Sequence, residues 1–135
     1  MPGQRLPLIL AFAALFCLLG STSALAQPCR VTATIPANQA QGVDPSLAYI
    51  QVSFNQDMLL DRWSWVTNPK LGAFPVVAGK PVFVDERTCR LPVKLSPGTT
   101  YAVGINTEGY GNFQTQAAPG KPCGGYQIIF TTASR

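Results

Sequence analysis

Tyr49 to Phe54 alternates without interruption: Ile50, Val52 and Phe54 fall on one face, Tyr49, Gln51 and Ser53 on the other. A period of two over six residues is a strand buried on one side only, and such a strand needs a second layer to cover it. The runs around it are of the same kind. Val31 to Ile35 is a β-branched segment ended by Pro36, and a polar turn follows from Asn38 to Gly42. Val43 to Pro45 reads as a short piece of edge strand, and Arg62 to Val66 as a fourth strand. Pro81 to Val84 and Thr88 to Leu95 form a hairpin around Asp85, Glu86 and Arg87, and Thr100 to Asn106 and Tyr126 to Thr132 complete about seven strands. No segment has a helical period of useful length. The expectation is an all-β chain.

Two details narrow the architecture. In Thr88 to Leu95 the inward positions are Cys89, Leu91, Val93 and Leu95. Pro92 faces outward and has no N–H, so that half of the strand should lie beyond its hairpin partner or at a bulge. Leu95-Ser96-Pro97-Gly98-Thr99-Thr100-Tyr101 then spells a tyrosine corner, in which a Tyr heading a strand bonds back to the backbone across the preceding turn. Tyr101 is the structural residue of that corner. Seven alternating strands and a corner favour a Greek-key β-sandwich of the immunoglobulin type over a closed barrel.

Ahead of these strands lies a segment of another kind. Arg5 precedes an uncharged apolar run from Leu6 to Leu19, too short to span a bilayer comfortably, and small residues follow at Ala24 and Ala26. This is the order of a secretory signal. Cleavage is expected between Ala26 and Gln27, leaving 27–135 as one domain with no membrane span, in the periplasm or secreted. Phe16 is too bulky for a lipobox ahead of Cys17. Signal removal takes away one cation and leaves nine Lys/Arg against six Asp/Glu, scattered rather than clustered. No basic run of the kind that binds nucleic acid is present.

Export bears on the cysteines. Cys29, Cys89 and Cys123 would enter an oxidising compartment, where a disulfide is the common outcome and an odd thiol is left over. In an immunoglobulin-like topology the first and last strands run parallel, so Cys29 and Cys123, each just before one of them, begin at the same end. They are the expected pair. Cys89, inward by alternation, is expected to stay buried and reduced.

Three blocks carry a family resemblance. Ile35-Pro36-Ala37-Asn38, then Gly42-Val43-Asp44-Pro45-Ser46, then Ile50, Val52, Phe54, Asn55 and Met58 resemble the opening of bacterial Ig-like domains of the S-layer-protein type. Leu95, Pro97, Gly98, Tyr101 and the closing Phe130-Thr131-Thr132 extend the match. The resemblance implies a sandwich outside the cytoplasm, usually a spacer or interaction module of a larger surface protein. Here a stand-alone domain is expected.

Chemistry narrows the classes further. The chain contains no histidine, which removes the commonest general base and metal ligand. The close acidic pairs, Asp57 with Asp61 and Asp85 with Glu86, read as solvated turn residues. No glycine cluster follows a strand and opens a helix, as a phosphate loop requires. No enzyme, cofactor or metal is therefore expected. A periplasmic metal-binding sandwich is the weaker alternative, since Met58 alone supplies a soft ligand of the kind that copper carriers use. The favoured class is a binding or structural module for an unknown protein or glycan at the cell envelope. Candidate contact residues are Met58, Leu59 and Leu60 in the turn after the third strand, Tyr110 and Phe113 in the long loop from about Asn106 to Gly125, and the same-face pair Trp63 and Trp65. Both loops should emerge at one end of the sandwich. Two arrangements stay open there: an exposed binding surface, or a plug whose apolar residues turn inward to close the core.

Overall fold

The computed structural model describes residues 27–135, so the expected signal segment and its cleavage at Ala26 lie outside the described residues. Nine strands and no helix occur among the described residues: β1 Val31–Ile35, β2 Ala40–Val43, β3 Tyr49–Phe54, β4 Trp65–Thr67, β5 Val76–Val77, β6 Val82–Asp85, β7 Thr88–Lys94, β8 Thr100–Ile105 and β9 Tyr126–Thr132. They form two sheets. One has the order β1-β3-β7-β5, with β6 also on β7; the other has the order β2-β9-β8-β4. The chain crosses between sheets after β1, β2, β3, β4 and β7, and β2 lies parallel to β9 while the remaining ladders are antiparallel. This is an immunoglobulin-like sandwich.

The alternation read from the sequence is the burial pattern observed. Ile50, Val52 and Phe54 of β3 face Cys89, Leu91 and Val93 of β7 along one sheet, and Tyr101, Val103, Ile105, Ile128 and Phe130 fill the layer opposite. Outward, Ser53 meets Thr88, Arg90 donates to Gln51 at 2.9 Å, and the Arg90 guanidinium stacks on Tyr49. Burial pushes the Cys89 thiol up to about 12, so at neutral pH this free cysteine is a small apolar core residue.

Several boundaries differ from expectation: the fourth strand spans Trp65–Thr67 rather than Arg62 to Val66, which leaves Trp63 ahead of it, and the first arm of the hairpin spans Val82–Asp85. The edge strand near Val43 spans Ala40–Val43 rather than running on to Pro45, because Asp44 instead accepts from the N–H and hydroxyl of Ser46 in a tight turn. Strand β5 was not expected at all. It holds two exposed valines paired with Val93 and Lys94, too short to carry a period. Its position explains Pro92. Strand β6 pairs β7 only as far as Arg90 and β5 resumes at Val93, so the missing N–H falls in the gap, where the Pro92 carbonyl accepts from Ala78.

The tyrosine corner is present, with the phenol oxygen as the acceptor. The Tyr101 phenol oxygen accepts from the Ser96 N–H at 2.8 Å, while the ring stacks on Phe130. Tyr101→Phe keeps the stack and strands one N–H near the surface. The expected cost is about 1 kcal/mol. Urea denaturation checks it, and an unchanged midpoint would remove the corner from the stabilising contacts.

Candidate functional site

The loop between β8 and β9 is bound along most of its length. Asn106, in the left-handed conformation at its start, accepts from the Phe113 N–H at 3.0 Å and donates to the carbonyls of Phe113 and Cys123. Farther along, Thr115 bridges Met58, Leu59 donates to the Gln114 carbonyl and Gln116 donates to the Asp57 carbonyl. A Cβ on Gly111 would stand 2.6 Å from the Pro122 ring, so a glycine lets the two arms of the loop close on each other. Cys29 and Cys123 are joined by a disulfide at the base.

These straps decide between the two arrangements for this end of the sandwich. Met58 and Phe113 are wholly buried, and Phe113 packs against Phe54, Trp65 and Phe83. In the disulfide-bonded protein neither offers a surface to a glycan or a protein partner. The exposed trio at 58–60 is therefore corrected: Met58 plugs the core, Leu59 is half-buried, and only Leu60 is open to solvent. Phe113 likewise leaves the contact set, while Tyr110, three residues before it, is 62% exposed.

The aromatic residues that keep a surface gather elsewhere, at the side of the sandwich where neither sheet is closed. Strand β4 is the last strand of one sheet and β5 of the other, and between these edges a cleft of about 490 Å³ opens down to Leu91. Trp63, Trp65, Phe74 and Tyr110 line it. Trp65 sets the inner wall, edge-on to Phe113, and its indole N–H meets the Cys89 thiol without a good hydrogen-bond partner. Trp63 lies nearer the mouth, where the Lys80 ammonium sits 5.6 Å from its ring centre. The polar lining is Ser64, Thr67 and Asn112, and every lining residue is uncharged. Ser64, 6% exposed, accepts from the Asn112 N–H at 2.9 Å, which leaves its own hydroxyl proton free to donate.

Of the sequence-derived candidates, the fold thus brings Trp63, Trp65 and Tyr110 together and leaves Leu59 and Leu60 outside the cleft. Ser64, Phe74, Val77 and Asn112 were not among them. The apolar run Phe74-Pro75-Val76-Val77 between two turns was the one signal available for Phe74 and Val77.

The acidic residues are engaged singly. Asp57 accepts from Arg87 at 2.8 Å, Asp61 from Arg62 at 3.0 Å, and Asp85 from the Arg87 N–H in the hairpin turn. The hydrogen bond from Arg62 holds the Asp61 carboxyl below its usual range. No helix among the described residues is long and apolar enough to cross a membrane. A family model described as bacterial Ig-like domain matches residues 26–132. No curated protein matches the chain.

Proposed function

Because the chain belongs to the bacterial Ig-like domain family, whose members are typically non-catalytic interaction or structural modules, we propose that it is a carbohydrate-binding module acting outside the cytoplasm. The observation that carries this is the cleft between β4 and β5. Its size suits a sugar ring or two, within the range of roughly 300–1,000 Å³ usual for small-ligand sites. Its chemistry suits the same occupant. Aromatic faces take the C–H side of a pyranose, the Ser64 hydroxyl and the Asn112 amide meet ring hydroxyls, and the absence of charge in the lining favours a neutral glycan. Export rests on the apolar run before Ala26 and on the Cys29–Cys123 bond, which persists in an oxidising compartment. The resemblance of the opening segment to S-layer-type domains supports a place of work at the cell surface.

The test uses protein recovered from the periplasm or medium, with intact mass identifying a chain that begins at Gln27. Neutral oligosaccharides from the bacterial envelope or its surroundings are screened by titration calorimetry. Tyr110→Ala and Trp63→Ala are each expected to weaken binding at least tenfold, in line with about 1–3 kcal/mol for an aromatic stacking platform. Binding unaffected by both changes sinks the cleft assignment. A failure to bind any neutral glycan sinks the ligand class.

A further inference from the structure

Three sulfur atoms meet beneath the loop that closes this domain. Met58 Sδ lies 3.9 Å from Cys29 Sγ and 4.0 Å from Cys123 Sγ. Met58 is fully buried, Cys123 is 4% exposed and Cys29 is half-buried. In the closed protein the cysteines are bonded to each other, and the methionine simply packs against their disulfide. The spacing has a second meaning once that bond is opened. Three ligands at about 2.3 Å from a metal in a trigonal plane stand about 4.0 Å from one another. Two of the three edges of that triangle already exist. Forming the third requires only that the two cysteine sulfurs part.

We infer that the dithiol form of this protein holds one Cu(I) ion between Cys29 Sγ, Cys123 Sγ and Met58 Sδ. Two thiolates and a thioether are the soft donor set that selects Cu(I) over the harder divalent ions. A two-electron reductant is required, an external dithiol in the cell or a phosphine in the test. An external dithiol exchanges with the protein disulfide, giving two protein thiols and one reductant disulfide. Cu(I) then displaces the two thiol protons, so two protons leave for each ion taken up and the metal keeps its oxidation state. The filled site carries one net negative charge, and Lys121 lines the same cleft of about 520 Å³ as Cys29. Backbone contacts independent of the disulfide keep the donors in place: Gly124 donates to the Cys29 carbonyl, Cys123 to the Phe113 carbonyl, and Asn55 pairs with Arg30 and Pro28. The same residues therefore form either a disulfide or a copper site, chosen by the redox state of the surroundings. Metal binding was the weaker reading of the sequence because the chain has no histidine and Met58 was the one soft ligand counted; the fold sets two cysteine sulfurs beside it.

The test is a titration of the whole protein with Cu(I) under nitrogen against a chromogenic Cu(I) chelator, after reduction with a phosphine. The reduced protein is expected to retain one Cu(I) per chain, with an ultraviolet thiolate-to-copper band, a near-native far-ultraviolet dichroism spectrum and three sulfur neighbours at about 2.3 Å by X-ray absorption. The oxidised protein retains none. Met58→Leu, close in volume, is expected to lose the third sulfur neighbour and at least tenfold in affinity, whereas Cys89→Ser changes neither. Overturning results are a reduced protein that unfolds or takes up no Cu(I), two sulfur neighbours in the wild type, or equal affinity in Met58→Leu. None of these outcomes depends on the glycan cleft, whose occupancy is measured separately.

Discussion

A Cys29→Ala/Cys123→Ala protein is expected to melt on the order of 20 °C below the wild type, a loss of about 4–5 kcal/mol for a domain of this size. The cause lies mainly in the unfolded chain. The bond joins residues 94 apart, spanning nearly all of the described domain, and closing so long a loop removes conformational freedom that the folded state never had. A folded-state share adds to it, since the bond sits on Met58 at the base of the β8–β9 loop. Cys89 stays in place in this variant, so its contribution to the core is unchanged. Thermal melts of both proteins decide the matter. A difference of only a few degrees would mean that the hydrogen bonds between the 27–30 segment and Asn55 already hold the chain end in the unfolded ensemble or that the bond is strained.

The strands were legible because their signals are local. Alternation in β3 and β7, the turn chemistry before β8 and the Pro92 interruption each sit within a few residues, and each was found where expected. The disulfide was legible too, by a longer inference from the two chain ends: β9 has β2 rather than β1 as its parallel neighbour, but the segment before β1 still meets the segment before β9, where Gly124 donates to the Cys29 carbonyl. The site was legible only in part. Trp63 and Trp65 share a face by their spacing, but nothing local says that Tyr110, 45 or more residues later, closes the same cleft. The burial of Met58 and Phe113 was one of two arrangements the sequence left open, and nothing local chose between them. It depends on the Asn106 side chain gripping Phe113 and on the 57–60 segment pairing with 114–116, contacts made across loops by groups whose sequence neighbours carry no period. Length alone marked the 106–125 loop as unusual; only its hydrogen bonds distinguish a strapped lid from a free one.

Phe113→Ala is expected to destabilise the domain by about 3–5 kcal/mol, while Tyr110→Ala stays within about 0.5 kcal/mol of the wild type. The two aromatics stand three residues apart in one loop and have opposite surroundings. Phe113 has no exposed surface, and its ring centre lies 5.1 Å from Phe54, 5.6 Å from Trp65 and 6.3 Å from Phe83, so it joins strands of both sheets at the end of the core. Truncation removes its transfer energy and leaves a cavity that three ring neighbours cannot easily fill. The backbone around it resists collapse as well, because Asn106 fixes both the N–H and the carbonyl of residue 113. Tyr110 has none of this. Its ring is 62% exposed, and its backbone N–H bonds to the Thr107 carbonyl whatever side chain it bears. Urea unfolding of the two variants gives the comparison directly. A Phe113→Ala loss below about 1 kcal/mol would show that the loop end can close over the gap, and would return this loop to consideration as a deformable binding surface. A large loss for Tyr110→Ala would instead make that ring part of the fold, and its effect on glycan binding could no longer be read as contact with a ligand.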